Sequence, residues 1–365
     1  MRKLRLRMPF RILLSLVAIV FVVVLYFPVS NIFKLMRLNY SFDSSVEIYK
    51  ANLQSKILDN PYSELLDKYI EDEDFDFDKL DFYLEIKCQE RENFLSNINK
   101  MIDLRYSVNE INKIYGSVSD DFLASFILHE YVYDIIKYLD VDIFKEEYFQ
   151  RYRAYFNGDY EKTVLYVNIG LDKEYYTDVT YTSDYSPTML VNKYHGVNEE
   201  FIVSNLTRIS NECSYGENYL SDEAALAFEK MCEAASNDGY AILANSTYRD
   251  YETQQKIWDQ YLNLYGQSYN DKYVTKPGFS EHHTGLAIDI KSANSNIFKE
   301  SKEYLWTTEN CYKYGFIHRY QESKESITGI KSEAWHFRYV GVDVATYIYE
   351  NKLSFEEYYA LFLDK

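Results

Sequence analysis

The longest uninterrupted apolar run in the chain is Ile12 to Pro28, ILLSLVAIVFVVVLYFP, and it holds no charged residue. About 20 such residues cross a bilayer as a helix, and Phe10 and Ile32 extend the run to that length. The pattern predicts a transmembrane anchor over 12–30 behind a basic segment at 1–11. No small-x-small cleavage site follows, since the exit reads YFPVSNIF, which favours a retained anchor over a removed signal peptide.

From 37 to 175 the apolar spacing is mostly helical. Shifted by 69 residues, Leu66, Tyr69, Phe75, Leu80 and Tyr83 fall on Ile135, Tyr138, Phe144, Phe149 and Tyr152. Ile98, Asn99 and Asp103 fall on Val167, Asn168 and Asp172. Matching apolar and polar positions predict two copies of one small unit. Ser107 with Glu110 has the capping-box pattern, and Ser119 precedes Asp120 and Asp121 as a helix start. A stalk is the plain expectation for this region; a wall polymer or protein partner is the sharper one.

The pattern breaks into polar and turn residues over 176–188, which predicts a linker. Beyond it, over 189–365, helices alternate with short strands. Ser221 opens a helix with Ala224, Phe228, Met231 and Ala235 on one face, and Gly239 closes it. AILAN at 241–245 reads as a buried strand, Thr253 to Tyr265 as a helix ended by Gly266, and Ser354 with Glu357 as the cap of a last helix. The fold class expected is α+β.

Charge narrows the partners. The net charge is −18, and Arg2, Lys3, Arg5, Arg7 and Arg11 gather at the start, leaving about −23 for the rest. Such a surface repels phosphates, so no nucleic-acid partner is expected. The basic end stays in the cytoplasm and the remainder is exported. Export permits disulfides, and of Cys88, Cys213, Cys232 and Cys311 a Cys213–Cys232 bridge is one arrangement and four free thiols another.

Six histidines occur, four of them between 282 and 336. In Ser280-Glu281-His282-His283-Thr284-Gly285-Leu286-Ala287-Ile288-Asp289, a turn at Gly285 and a following strand would let His282 and Asp289 converge. Leu286, Ile288 and Ile290 would then face away from Asp289. In Glu333-Ala334-Trp335-His336-Phe337-Arg338-Tyr339, a strand puts His336 and Arg338 on one face and Trp335, Phe337 and Tyr339 on the other. His282, Asp289 and His336 supply the two imidazoles and one carboxylate of an open zinc site, and Glu333 is a carboxylate free to take a proton from water. His283, His318, His129 and His195 read as satisfied core residues, His283 pointing away from His282 in extended chain. His129-Glu130 does not complete a helical zinc motif, because position 133 is Tyr133.

These segments resemble the S-x-H-x-x-G-x-A-x-D and E-x-W-H signatures of VanY-like D-alanyl-D-alanine carboxypeptidases. That zinc peptidase group also includes D-Ala-D-Ala dipeptidases and L,D-carboxypeptidases. Ser246-Thr247-Tyr248-Arg249-Asp250-Tyr251-Glu252-Thr253-Gln254 resembles the family's S-G-Y-R-S-Y-x-x-Q, with Thr247 for glycine and Asp250 for serine; Ala334 stands where proline is common. LVNKYHGV (190–197) and YKYGFIHRY (312–320) agree as well, so the likeness spans roughly 185–345.

The resemblance implies zinc held by His282, Asp289 and His336, with Glu333 as the base that activates water. It implies Arg249 at the substrate carboxylate or oxyanion, Gln254 and Ser280 as substrate contacts, and a small antiparallel sheet flanked by helices. The expected activity is removal of C-terminal D-alanine from peptidoglycan stem peptides. The alternatives are L,D-carboxypeptidase or endopeptidase action on the same peptides, or a non-catalytic wall-binding protein. A serine peptidase route is excluded, since neither S-x-x-K nor G-x-S-x-G occurs.

Overall fold

A computed structural model describes residues 8–364, so Arg2, Lys3, Arg5 and Arg7 of the basic segment lie outside the described residues. The N-terminal helix starts at Met8, passes a π-helical turn at Val22–Tyr26 and continues as Phe27–Arg37. That wide turn sits just before Pro28, which has no N–H to give the preceding turn. Ile12, Leu16 and Phe21 are more than half exposed. Arg11 to Arg37 is 27 residues, long and apolar enough to cross a membrane. At 1.5 Å per residue it reaches about 40 Å, more than the ~30 Å of hydrocarbon it would span.

Two compact units follow from the packing, one ending at Asp142 and the other beginning at Ile143. In the first, short helices such as Phe42–Lys50, Phe94–Asp103 and Val108–Ser117 bury Ile48, Ile98, Met101 and Ile111. Ser107 and Glu110 close the capping box at the start of Val108–Ser117. Within this unit the Tyr83 hydroxyl donates to Asn99 Oδ1 and accepts from the Asp76 N–H, while Asn99 Nδ2 donates to the Asp74 carbonyl. Within the second unit Tyr152 donates to Asn168 at 2.6 Å and accepts from the Lys145 N–H, and Asn168 donates to the Ile143 carbonyl. Each of these four positions lies 69 residues after its counterpart.

The second unit is built on a four-stranded antiparallel sheet of β1 (Ile242–Ser246), β2 (Ala287–Ser292), β3 (Phe316–Tyr320) and β4 (Glu333–Tyr339), in the order β1-β2-β4-β3. Against one face packs α1 (Asp222–Asn237), whose Ala224, Phe228, Met231 and Ala235 are fully buried with Ile242, Leu286, Ile288 and Ile290. Ser221 occupies the N-cap position of α1, but its hydroxyl makes no cap bond. Next come α2 (Tyr251–Tyr265) and α3 (Gln267–Tyr273), then the terminal α4 (Phe355–Phe362), started by the Ser354–Glu357 capping box. Asp250, in the place of a family serine, caps α2 by accepting from the Thr253 N–H.

The segment 176–188 is not a free tether. Thr180–Tyr181 pairs in parallel with His195–Gly196, and the Pro187 and Met189 carbonyls accept from the buried Arg338 guanidinium. The helix Tyr160–Ile169, at the end of the predicted repeat region, shares an apolar cluster with Ile327 and Ala360 of the second unit.

Cys213 and Cys232 form a disulfide, while Cys88 and Cys311 are free. The bridge ties α1 to the loop ahead of it across 19 residues. Closing a loop of that size contributes about 3 kcal/mol. Thermal unfolding of the double Cys213→Ala/Cys232→Ala variant should show a loss of about that size; an unchanged melting temperature would contradict this role.

Candidate active site

The site is assembled where β2 and β4 lie side by side. Asp289 on β2 is the direct cross-strand partner of His336 on β4. Side chains in such a pair start about 5 Å apart, so ladder register alone brings these two together. His282 comes from a 3₁₀ turn, Glu281–Thr284, rather than from extended chain. Gly285, at φ +66°, turns the chain from that 3₁₀ segment into β2. A Cβ there would stand 3.0 Å from Leu206 and 3.2 Å from the Ser221 nitrogen, so only glycine fits.

One donor atom each from His282, Asp289 and His336 falls within 4.8 Å of the others. His282 Nε2 is 3.5 Å and His336 Nδ1 3.0 Å from the same Asp289 oxygen. Ligands around a tetrahedral zinc at its usual bond lengths stand roughly 3.4 Å apart, so the three side chains are already spaced for that ion. Each imidazole is fixed by its other nitrogen. His282 Nδ1 contacts the Thr247 carbonyl at 2.6 Å, just past a bulge in β1, and His336 Nε2 contacts Glu281 at 3.2 Å. This is the support a metal-binding imidazole needs to hold tautomer and angle.

Charge in the pocket favours a cation. Burial opposes ionisation of Asp289, yet His282 and His336 hold its carboxyl well below the usual carboxylate range. Burial and the nearby Arg249 charge push His282 down to about 4. His336 is raised to about 9 against the effect of burial, through its contacts with Asp289 and Glu281. A proton is thus drawn to the place where two carboxylates and two imidazoles converge, and a divalent ion satisfies the same field. Two imidazoles beside one carboxylate suit zinc better than magnesium or calcium.

Glu333 is the remaining carboxylate, its Oε2 3.7 Å from His336 Nδ1. Burial first, then the charges of Asp289 and Glu281, raise it to about 7, with His336 and Arg249 opposing. In a regular strand Glu333, Trp335 and His336 could not all face one cavity. Opposite β3, however, His318 pairs with Phe337 while Tyr320 pairs with Glu333, leaving two extra residues on β4. The bulge turns all three into one cavity of about 380 Å³. Trp335, placed on the far face by simple alternation, is 45% exposed and lines that cavity. His318 steadies the bulge through Nε2, 3.1 Å from the Glu333 carbonyl.

Arg249, Gln254 and Ser280 line the same cavity. Arg249 donates to Gln254 Oε1 at 2.8 Å and lies 3.9 Å from Asp289 Oδ2, while its buried Nε has no hydrogen-bond partner. A guanidinium lining a cavity is a place for an anionic group of a ligand. The Gln254 amide is spent within the protein, since its Nε2 donates to the Thr275 carbonyl at 2.9 Å. It holds Arg249 in place. His283, in the same turn as His282, is committed to structure, with Nδ1 2.8 Å from the Arg249 carbonyl and Nε2 accepting from the Gly278 N–H. His129, expected in a core, is exposed.

Glu281 went unread in the sequence. It is fully buried with Arg319 and Arg338, accepting from Arg319 Nε at 2.8 Å and Arg338 Nη1 at 3.0 Å. Arg319 also forms a two-pronged pair with Glu356 of α4, and Asn192 donates to that glutamate. Two arginines in short strands, with an acid beside a candidate metal-ligating histidine, are the signal that could have exposed it. Burial disfavours its charge, but Arg319, Arg338 and His336 outweigh that and hold Glu281 well below the usual carboxylate range.

The family model described as VanY, D-alanyl-D-alanine carboxypeptidase, matches residues 217–342. The chain is 37% identical over 205 residues to the Bacillus subtilis (strain 168) protein YodJ, covering 52% of this chain and 75% of that one. It is 36% identical over 148 residues to the bifunctional D-Ala-D-Ala dipeptidase and carboxypeptidase VanXYC of Enterococcus gallinarum, covering 39% of this chain and 77% of that one. This chain belongs to the VanY-like D-alanyl-D-alanine carboxypeptidase family. It is a peptidase. Against the D-alanyl-D-alanine carboxypeptidase of Enterococcus faecalis (strain ATCC 700802 / V583), identity is 39% over 140 residues, about half (52%) of that enzyme and 36% of this chain. The solved structure of the LdcB LD-carboxypeptidase shares 37% identity with a TM-score of 0.47, covering 50% of this chain and 90% of that one.

Removing one partner from a buried charge network leaves the others uncompensated, at a cost of about 3–5 kcal/mol. Glu281→Ala should lose that much stability in denaturant unfolding and bind metal about 10–100-fold more weakly. A loss under about 1 kcal/mol with unchanged metal affinity would show that Glu281 holds nothing in place.

Proposed function

We propose that this chain is a membrane-tethered zinc carboxypeptidase that removes C-terminal D-alanine from peptidoglycan stem peptides outside the cell. The observation that carries the reading is Arg249, which lines the same cavity as His282, Asp289, His336 and Glu333. A peptidase that trims chain ends must recognise a free carboxylate, and a fixed guanidinium near the scissile bond does so.

His282, Asp289 and His336 would hold the zinc. Bound there, zinc supplies Lewis acidity, which makes water more acidic and polarises the peptide carbonyl. Glu333 takes the proton from the attacking water and passes it to the leaving D-alanine amine. Arg249, steadied by Gln254, orients the substrate by its carboxylate, and Ser280 lies on the same wall as a further contact.

The apolar helix within 11–37 is the anchor, with the basic end cytoplasmic, and the Cys213–Cys232 bridge fits an oxidising exterior. We read 37–175 as a duplicated spacer, which the repeated tyrosine–asparagine hydrogen bonds support.

Full-length protein in detergent, given defined stem pentapeptide and tetrapeptide with zinc, should release D-alanine from the pentapeptide. Release from the tetrapeptide alone would make it an L,D-carboxypeptidase, and release from neither would refute the reading. Glu333→Gln should keep zinc and fold yet lose several powers of ten in turnover; near-normal turnover would rule it out as base. The base acts as a carboxylate, so activity is present above its pKa and lost as pH falls through it. Glu333 sits at about 7 with the charges of His336 and Arg249 already beside it, and a bound zinc ion would lower that further. The acid limb of kcat/KM should therefore have its midpoint at or below pH 7, and a limb centred well above 7 would contradict the assignment.

A further inference from the structure

Tyr261, Tyr265, Tyr269 and Tyr273 recur every fourth residue along α2 and α3, across Gly266, and this row of rings packs together with Tyr269 touching the other three. Centroids are 6.0 Å apart for Tyr261 and Tyr269, and 4.6 Å for both Tyr265–Tyr269 and Tyr269–Tyr273. Tyr261, Tyr269 and Tyr273 line the catalytic cavity, and Tyr265 carries the row outward, 58% exposed. Exposed aromatic surface of this extent, continuous with a catalytic cavity, marks a contact site for a ligand.

The chemistry of the row selects the ligand. The cavity's charged side chains, Arg249, Asp289 and Glu333, belong to the reacting end. The row itself is uncharged, with flat ring faces and hydroxyl rims. Methyl side chains of D-alanine need no such platform, whereas a pyranose offers a C–H face to stack on a ring and hydroxyls to bond at its edge. Tyr265 stands one ring contact from the cavity wall, its centroid 5.8 Å from that of Tyr261.

We propose that the tyrosine row is a carbohydrate subsite that holds the amino sugar bearing the stem peptide, so that glycan-attached peptides are the preferred substrates. This rests on the peptidase reading above and adds to it a second point of recognition, away from the reacting carbonyl.

The test compares kcat/KM of the full-length zinc enzyme on a free stem pentapeptide and on the same peptide joined to its disaccharide. The wild type should prefer the disaccharide form about tenfold or more. Tyr265→Ala, outside the cavity lining, should erase most of that preference while leaving the free peptide within about twofold, and Tyr265→Phe should keep it. Equal kcat/KM for the two substrates in the wild type would overturn the subsite. So would an equal loss on both substrates in Tyr265→Ala with an unchanged melting curve. Failure to cleave either substrate would instead bring down the peptidase reading itself.

Discussion

The angle at which His336 faces its neighbours depends on one buried carboxylate. Glu281 receives the far nitrogen of His336 on one oxygen and the guanidinium groups of Arg319 and Arg338 on the other. A charge at this depth is tolerated only when its partners are fixed and numerous. Arg319 from β3 and Arg338 from β4 are held in turn, Arg319 by Glu356 of the last helix and Arg338 by the Pro187 and Met189 carbonyls of the segment before the sheet. The same bonds that orient the imidazole therefore fasten both ends of the catalytic unit to its sheet. That is why 176–188 is ordered against the sheet instead of serving as a tether.

A second constraint is the irregularity of the sheet. Cross-strand pairing sets Asp289 beside His336, but the two extra residues of β4 bring Glu333 and Trp335 onto the same side. A bulge in β1 precedes Thr247, whose carbonyl fixes His282. Regular strands build the apolar side of the unit, where Leu286, Ile288 and Ile290 alternate inward. The departures from regularity build the reactive side.

Much of this was readable in the sequence because its chemistry is sparse. With few histidines in the chain, residue type and spacing allowed His282 to meet Asp289 across a glycine turn and His336 to stand near Glu333, and the family resemblance singled these residues out. The period-two pattern around Asp289 and the helix caps at Ser107 and Ser354 are local signals, and local structure follows them. What escaped depends on partners distant in sequence. Trp335 was misplaced because a bulge is defined by the opposite strand, not by the strand that carries it. Nothing local shows that the Gln254 amide also closes on Arg249 and Thr275. Glu281 was hidden beside a more conspicuous histidine, and spacing alone left the Cys213–Cys232 bridge open against four free thiols.

The central claim is that His282, Asp289 and His336 form a single zinc site with nitrogen and oxygen ligands only. X-ray absorption at the zinc edge, on protein loaded with one equivalent of zinc, tests it directly. The account predicts two imidazoles among about four nitrogen or oxygen ligands near 2.0–2.1 Å. A sulfur shell at about 2.3 Å, or a single imidazole, would contradict it.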